Sequence, residues 1–105
     1  MPTTLPATIE LQTQSPTEVV DITARVEALA AGTPGGSCLL YLRHTTAGLM
    51  VMTWAAHFLS ALVGPGVHVP VRDGKLALGE FQRIVLLEFE GPRRREIEVR
   101  LLAEA

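Results

Sequence analysis

Cysteine is nearly absent from this sequence, because Cys38 is the only one. A single cysteine cannot form a disulfide bond within the chain. Its neighbours Leu39 and Leu40 are apolar, which predicts a small buried thiol rather than a reactive one. Aromatic residues make up only 5% of the chain. The sequence therefore has to build its core from aliphatic side chains and without disulfide bonds.

The sequence also lacks an excess of positive charge and any very long apolar run. Its formal net charge is −2, and the basic run at residues 93–95 is followed at once by Glu96 and Glu98. We predict that this run is a solvated shoulder of a hairpin rather than a phosphate site, and that the protein does not bind nucleic acid. No apolar run approaches the roughly 20 residues that a membrane span needs, so no membrane partner is expected.

The first residues, 1–6, show neither the basic nor the apolar region of a signal peptide. We therefore expect a cytoplasmic protein. At 105 residues the chain has the length of one domain, and we assign residues 1–105 to it. Hydrophobic residues account for 48%, more than one small core requires. The surplus indicates a subunit interface.

Most of the chain shows the alternation of apolar and polar residues that is typical of strands. The predicted strands cover residues 7–12, 18–22, 37–43, 47–53, 67–72, 75–78, 83–89 and 96–101. Residues 15–18 also fit a helix start, but the strand interpretation of 18–22 is favoured. Residues 37–43 are predicted to be buried on both faces. Asp73-Gly74 is a strong signal for a tight hairpin turn.

Two segments are predicted to be helical. The first begins at Thr23 as its N-cap and buries Val26, Leu29 and Ala30, and it ends near Gly32. The second covers residues 54–63 and is apolar at almost every angle. The predicted fold class is therefore α+β: an antiparallel, β-sandwich-like sheet of about seven or eight strands with two short helices.

The first group of residues that could carry chemistry is His44-Thr45-Thr46, at the end of a predicted strand. The hydroxyls could orient the imidazole or bind an oxyanion. His57 and Ser60 are the polar positions of the second predicted helix and must meet other polar groups if that helix is buried.

Several chemistries remain open for these five residues. Two converging imidazoles with hydroxyls could form a general acid/base pair, an anion pocket or half of a metal site. His44 and His57 are the only candidate metal ligands, and no third ligand stands at a recognisable spacing. The cofactor is therefore unknown, with a divalent metal as one candidate.

The other polar residues are predicted to have structural roles or to be exposed. Gln82 and Glu88 are predicted to lie on one face of a strand, at its two ends, and Glu88 is expected to pair with an arginine of the last strand. His68 is expected to be exposed beside Arg72. The sequence contains no nucleophile signature, phosphate-binding glycine loop or cysteine pair.

Several motifs, in order, resemble the YjbQ-like family, whose members are also called secondary thiamine-phosphate synthases. The resemblance extends from about Ile9 to Leu102. The motifs that carry it are VVDIT, RHTTAGLMV and AAHFLSALVGPGVHVPVRDGKLALGEFQRIVLLEFEGPRRR.

The resemblance implies a compact α+β fold that assembles as a homotrimer, with a polar pocket near the subunit interface. It implies that His44, Thr45 and His57 are the pocket's catalytic candidates. Thr46, Ser60 and Gln82 are candidates for binding the substrate or an anion. The activity implied is a weak joining of the thiamine pyrimidine to the thiazole phosphate, so a small phosphorylated ligand is an expected partner. The alternative is a non-catalytic trimer that acts as a structural or small-ligand or metal-binding module.

The sequence departs from the family pattern at one point in particular. Relatives generally follow the His-Thr-Thr strand with an Asn-Glu pair, an acidic helical segment and another histidine. Here Thr53 passes directly to Trp54, so a few dozen residues have no counterpart. Those residues hold much of the family's carboxylate and histidine chemistry, which is why the non-catalytic alternative stays open.

Overall fold

A computed structural model of the chain describes residues 3–53 and 64–104. These residues form eight strands and one helix, in the order β1 (Thr3–Gln12), β2 (Glu18–Asp21), α1 (Thr23–Ala30), β3 (Gly35–Leu42), β4 (Ala47–Thr53), β5 (Gly66–Arg72), β6 (Lys75–Leu76), β7 (Gln82–Glu88) and β8 (Arg94–Ala103). The number and positions of the strands agree with the alternation in the sequence.

The strands form two antiparallel sheets. One has five strands in the order β1-β8-β3-β5-β6, and the other has three in the order β2-β7-β4. Buried side chains from both sheets and from α1 form one hydrophobic cluster, with members such as Leu40, Ile97, Ile84, Leu86 and Val26. The fold is α+β and mostly antiparallel β, as predicted.

The prediction that residues 37–43 are buried on both faces is wrong. In β3, Cys38, Leu40 and Leu42 are buried, but Leu39 and Tyr41 are 36% and 50% exposed. Successive side chains of a strand point to opposite faces, and within residues 3–53 and 64–104 only the inner face of this sheet packs on the core. The buried Cys38 matches its prediction, and burial raises the pKa of its thiol to about 11.

The first helix lies where it was predicted, but Thr23 does not cap it. Ile22 occupies the N-cap position, and Thr23 is the first helical residue. The Thr23 hydroxyl donates to Asp21 Oδ1 at 2.7 Å and accepts from the Ile84 amide at 2.8 Å. The hydroxyl therefore fastens the helix start to β7. The Asp21 carboxylate accepts from the Thr23 amide at 2.9 Å and so satisfies one of the helix's first N–H groups.

The hairpin at Asp73-Gly74 is confirmed. Both residues have positive φ, 52° at Asp73 and 74° at Gly74. These values are typical of a type I′ turn, whose twist matches that of the flanking strands β5 and β6. The turn closes the edge of the five-stranded sheet.

The second predicted helix, residues 54–63, lies outside the described residues, so α1 is the only helix among the residues described. Within the described parts of the chain, no helix is long and apolar enough to cross a membrane.

Candidate functional site

An open cleft lies where the chain passes from one sheet to the other. β3 ends at Leu42 and β4 begins at Ala47, and residues 43–46 connect them. The cleft has a volume of about 490 Å³. Its walls include His44, Thr45, Tyr41, Ala47, Pro65 and Phe89. Two of the residues singled out in the sequence, His44 and Thr45, therefore line the same cleft.

His44 is half-buried and is anchored on the neighbouring strand. Its Nε2 atom accepts a hydrogen bond from the Glu96 amide at 3.3 Å, which ties the ring to β8. Thr45 is exposed beside it. The ring is therefore held by backbone of the five-stranded sheet, while Thr45 is open to solvent.

Thr46 has a different role from its sequence neighbours His44 and Thr45. It does not line the cleft with His44 and Thr45 but faces a buried guanidinium. Arg95 Nη2 donates to the Thr46 hydroxyl at 2.8 Å and to its carbonyl oxygen at 3.2 Å. The same carbonyl accepts from the Phe89 amide at 3.0 Å. Thr46 thus fixes the connection to the protein interior.

Arg95 and Glu88 form a buried ion pair behind this connection. Their side chains are only 2% and 0% exposed. Arg95 Nε donates to Glu88 Oε1 at 2.9 Å, and Arg95 Nη2 donates to Glu88 Oε2. The Thr13 hydroxyl donates to Glu88 Oε1 at 2.7 Å, and the Glu90 amide donates to Oε2 at 3.1 Å. Every carboxylate oxygen therefore has at least two donors, and the buried charges are paired as burial requires.

The pKa of Glu88 follows from these contacts. The hydrogen bonds from Arg95 lower it most, and they outweigh the effect of burial, which raises it. The Thr13 and Glu90 donors and the positive charge of Arg95 lower it further, to about 2. Glu88 is therefore ionised over the whole physiological range.

The prediction that Glu88 pairs with an arginine of the last strand is confirmed. The prediction that residues 93–95 form a solvated shoulder of a hairpin is wrong for one of these three arginines. Arg93 and Arg94 are exposed, whereas Arg95 is buried. The burial of Arg95 could have been predicted from the alternation in β8. Ile97, Val99 and Leu101 point inward, and with a period of two residue 95 lies on the same face.

Gln82 lies far from the cleft within this chain. Ala47 pairs with Glu88 at one end of the β4–β7 ladder, and Thr53 pairs with Gln82 at the other. The two ends are six residue steps apart, since 53 − 47 = 6, which is a distance of about 20 Å. Gln82 Oε1 accepts from the Gly79 amide at 2.6 Å and so closes the turn before β7.

His57 and Ser60 lie outside the described residues. Within residues 3–53 and 64–104, no group of three or more His, Cys, Asp or Glu residues could hold a metal ion. His68 is exposed, as predicted.

The sheets and the cleft define a class: small α+β proteins with two antiparallel sheets and a polar cleft at a crossing between them. A family model described as "UPF0047 protein YjbQ-like" matches residues 7–56 and 53–104. The UPF0047 protein YugU of Bacillus subtilis (strain 168) is 32% identical over 128 residues, which cover 90% of this chain and 97% of YugU. The chain belongs to the UPF0047, YjbQ-like family, as its motifs predicted.

Solved structures agree with this assignment. A YbjQ-like protein of unknown function from Sulfolobus solfataricus matches with a TM-score of 0.86 and 26% identity, over 99% of this chain and 100% of its own. A conserved hypothetical protein from Thermus thermophilus matches with a TM-score of 0.77 and 30% identity, over 91% of this chain and 99% of its own.

The comparisons also bear on the departure near Thr53. The family model matches in two pieces that meet at residues 53–56. The match to YugU extends over 128 residues although this chain has 105, so the relative has residues without a counterpart here. Both findings agree with a shortened segment at this junction.

Proposed function

We propose that the chain is a cytoplasmic, homotrimeric, sandwich-like YjbQ family protein whose cleft at His44 and Thr45 binds a small phosphorylated ligand. Its first candidate activity is the weak thiamine-phosphate synthase-type transfer that the family resemblance implies. The observation that carries this proposal is the meeting of His44 and Thr45 in one cleft of about 490 Å³. That volume is within the range of small-molecule sites.

The chemistry of such a transfer suits N–H and O–H donors. A ring nitrogen of the thiazole phosphate would form a bond to the methylene carbon of the pyrimidine pyrophosphate, and the bond from that carbon to the pyrophosphate oxygen would break. Negative charge then grows on the leaving pyrophosphate, where donors such as the His44 ring and the Thr45 hydroxyl would stabilise it. His57, with Ser60 nearby, is assigned to the same pocket by the family resemblance.

A divalent metal is the cofactor to test, since it would share the charge of the phosphates. His44 and His57 would be its ligands from this chain. Ligand binding can be tested apart from turnover, because anything that binds only the folded state raises its melting temperature.

The trimer is supported by the outer face of the five-stranded sheet. Leu39 and Tyr41 are exposed there, beside a groove of about 440 Å³ whose walls include Val67, Glu98 and Arg100. Exposed apolar side chains at the centre of a sheet, with charges around them, are typical of subunit contacts. Light scattering on the purified protein tests this part directly, and a monomer would contradict it.

The activity is tested with purified protein, the pyrimidine pyrophosphate and the thiazole phosphate, with and without Mg²⁺. We expect slow product formation that falls by about tenfold or more in His44→Ala. Lys75→Ala is the control, because Lys75 is exposed and lines neither the cleft at His44 nor the groove on the outer face of the five-stranded sheet. Activity that is the same in His44→Ala and in the parent protein would overturn the assignment of His44.

The second candidate is a non-catalytic trimer that acts as a structural or ligand-binding module. The two-piece family match that meets at residues 53–56 favours it, because the family resemblance implies that a further histidine and carboxylates belong to the segment without a counterpart here. This candidate predicts that phosphate or Zn²⁺ raises the melting temperature while no product forms. It also predicts that His44→Ala lowers stability without removing any activity.

A further inference from the structure

The connection between β3 and β4 carries side-chain donors on its cleft side. His44 Nε2 accepts from the Glu96 amide at 3.3 Å. A neutral imidazole has one acceptor and one donor nitrogen, so this bond leaves the proton on Nδ1. Thr45 is exposed and adds a hydroxyl hydrogen. The two side chains therefore offer a ligand an N–H and an O–H.

The backbone of Ala47 adds a third donor. Ala47 faces Glu88 across the β4–β7 ladder, and the Phe89 amide donates to the Thr46 carbonyl at 3.0 Å. In an antiparallel ladder this pattern makes Ala47 and Glu88 a non-hydrogen-bonded pair, so the Ala47 N–H points away from β7. Leu49, two residues on, uses the same edge, where its amide donates to the Gly64 carbonyl at 2.7 Å. Since Ala47 lines the cleft, its N–H is presented at the cleft edge.

The charge of the cleft agrees with these donors. Among its described lining residues, Arg43 carries the only formal charge, and no carboxylate lines it. Arg43 Nη2 is paired with Glu98 at 2.6 Å at the rim. A site of N–H and O–H donors without carboxylates suits an oxyanion better than a metal ion.

Thr46 lies between Thr45 and Ala47 in the sequence, and its side chain forms its hydrogen bond with Arg95 rather than lining the cleft. Its hydroxyl and carbonyl both accept from Arg95 Nη2, and Arg95 is itself held by Glu88. A rigid buried pair therefore fixes the one residue of the connection that faces inward. Any shift of Thr46 moves its sequence neighbours Thr45 and Ala47.

We propose that Arg95 is a positioning residue: by holding Thr46 it sets the spacing of the His44, Thr45 and Ala47 donors, which together bind the phosphate group of a ligand. This deepens the proposed function and rests on it for the use of the cleft as a ligand site. Arg95 itself is buried behind the connection and does not touch the ligand.

The test uses two threonines that contact the same buried ion pair from different sides. Thr46→Val removes the hydroxyl that accepts from Arg95, whereas Thr13→Val removes the hydroxyl that donates to Glu88. Each variant is measured for urea stability, for its dissociation constant for inorganic phosphate, and for the amide resonances of Thr45 and Ala47. Thr46→Ser, which keeps the hydroxyl, is the rescue variant, and Arg95→Lys tests the arginine itself.

We expect Thr46→Val and Arg95→Lys to weaken phosphate binding by about fivefold or more, as the loss of a well-placed hydrogen bond would. Thr13→Val should leave the dissociation constant within about twofold even where it costs as much stability, and Thr46→Ser should bind like the parent protein. The positioning role is overturned if Arg95→Lys leaves both the dissociation constant and the two amide resonances unchanged. It is also overturned if affinity falls in proportion to stability in both valine variants.

The amide resonances distinguish a failure of the positioning role from a failure of the proposed function. If the parent protein binds no phosphate, the phosphate site is overturned, and with it the proposed ligand class. The shift of the Thr45 and Ala47 resonances in Arg95→Lys, which leaves their sequence neighbours unchanged, against none in Thr13→Val, still reports whether Arg95 positions the connection.

Discussion

Arg95 Nε donates to Glu88 Oε1 at 2.9 Å, from the strand that follows Glu88 in the chain and belongs to the other sheet. The pair therefore joins the two sheets in the interior, next to the point where the chain crosses between them. Its remaining hydrogen bonds reach Thr13 just after β1, Thr46 just before β4, and the Glu90 amide. One buried ion pair thus connects β7 and β8 with two segments that are distant from them in the sequence.

The first prediction concerns the cost of breaking this pair. Glu88→Leu and Arg95→Met should each destabilise the protein by about 3–5 kcal/mol, because each leaves the charge of the other residue buried without its partner. The double variant Glu88→Leu/Arg95→Met should recover most of that loss, since apolar residues of similar volume replace both charges. Urea unfolding of the three variants measures the coupling as a double-mutant cycle. Additive losses in the double variant would contradict a direct interaction.

The second prediction is a loss of stability in acid. The pKa of Glu88 falls on folding from an ordinary value near 4.5 to about 2. Its contribution is therefore fully present above about pH 4.5 and disappears as the pH falls through about 2. Burial raises the pKa of Asp21, but hydrogen bonds from Thr23 and Arg83 outweigh it and lower that pKa, so Asp21 adds to the effect.

Urea unfolding between pH 6 and pH 2 checks this expectation. The parent protein should lose stability across that range, and the Glu88→Leu/Arg95→Met variant should lose less because it lacks the main titrating group. Equal slopes for the two proteins would show that Glu88 is not the group responsible.

The strands were predictable because successive side chains of a strand point to opposite faces, so that buried and exposed residues alternate with a period of two. In residues 96–101 charged and apolar side chains alternate, and β8 buries the apolar ones, Ile97, Val99 and Leu101. The face of β3 was not predictable in the same way, since Leu39 and Tyr41 are apolar and look like core residues although they are exposed. Apolar side chains on an exposed sheet face therefore cannot be told from core residues in a single sequence.

The candidate site was predictable only in part, because the sequence does not show how the strands pair. His44 and Thr45 could be chosen by their chemistry at a strand end, and they do share a cleft. Strand geometry places Gln82 about 20 Å from Glu88, but only the pairing of β4 with β7 shows which end of the strand lies at the cleft. The role of Arg95 depends on the register of β8 against its neighbours, which the local sequence does not reveal.

The third prediction concerns the start of α1. Thr23→Val removes a hydroxyl that donates to Asp21 and accepts from the buried Ile84 amide, so it should cost about 1–3 kcal/mol. Thr23→Ser keeps the hydroxyl and should cost clearly less. Thermal unfolding of the two variants measures the difference. If serine and valine were equally destabilising, the methyl group rather than the hydroxyl would be the important part of the side chain.

The fourth prediction tests the hairpin between β5 and β6. Gly74 has a φ of 74°, and a Cβ there would lie 3.1 Å from the Ala31 carbonyl oxygen. Gly74→Ala should therefore destabilise the protein by about 1–2 kcal/mol, from backbone strain and close contact together. Asp73→Asn is the control, because asparagine adopts positive φ readily and keeps the size of the side chain. It should be neutral or slightly stabilising, and a Gly74→Ala variant as stable as the parent protein would contradict the type I′ geometry.

The fifth prediction concerns Cys38, whose thiol is buried and has a pKa raised to about 11 by that burial. Only the thiolate reacts with thiol reagents, so the folded protein should not be labelled at pH 8, and labelling should follow the rate of opening. The proton is held more tightly in the folded state, so this group's contribution to stability is present below about pH 9 and is lost as the pH rises toward about 11. Labelling in urea at pH 8 should reach completion and gives the reference. Rapid labelling of the folded protein would mean that β3 opens far more often than its central position between β8 and β5 implies.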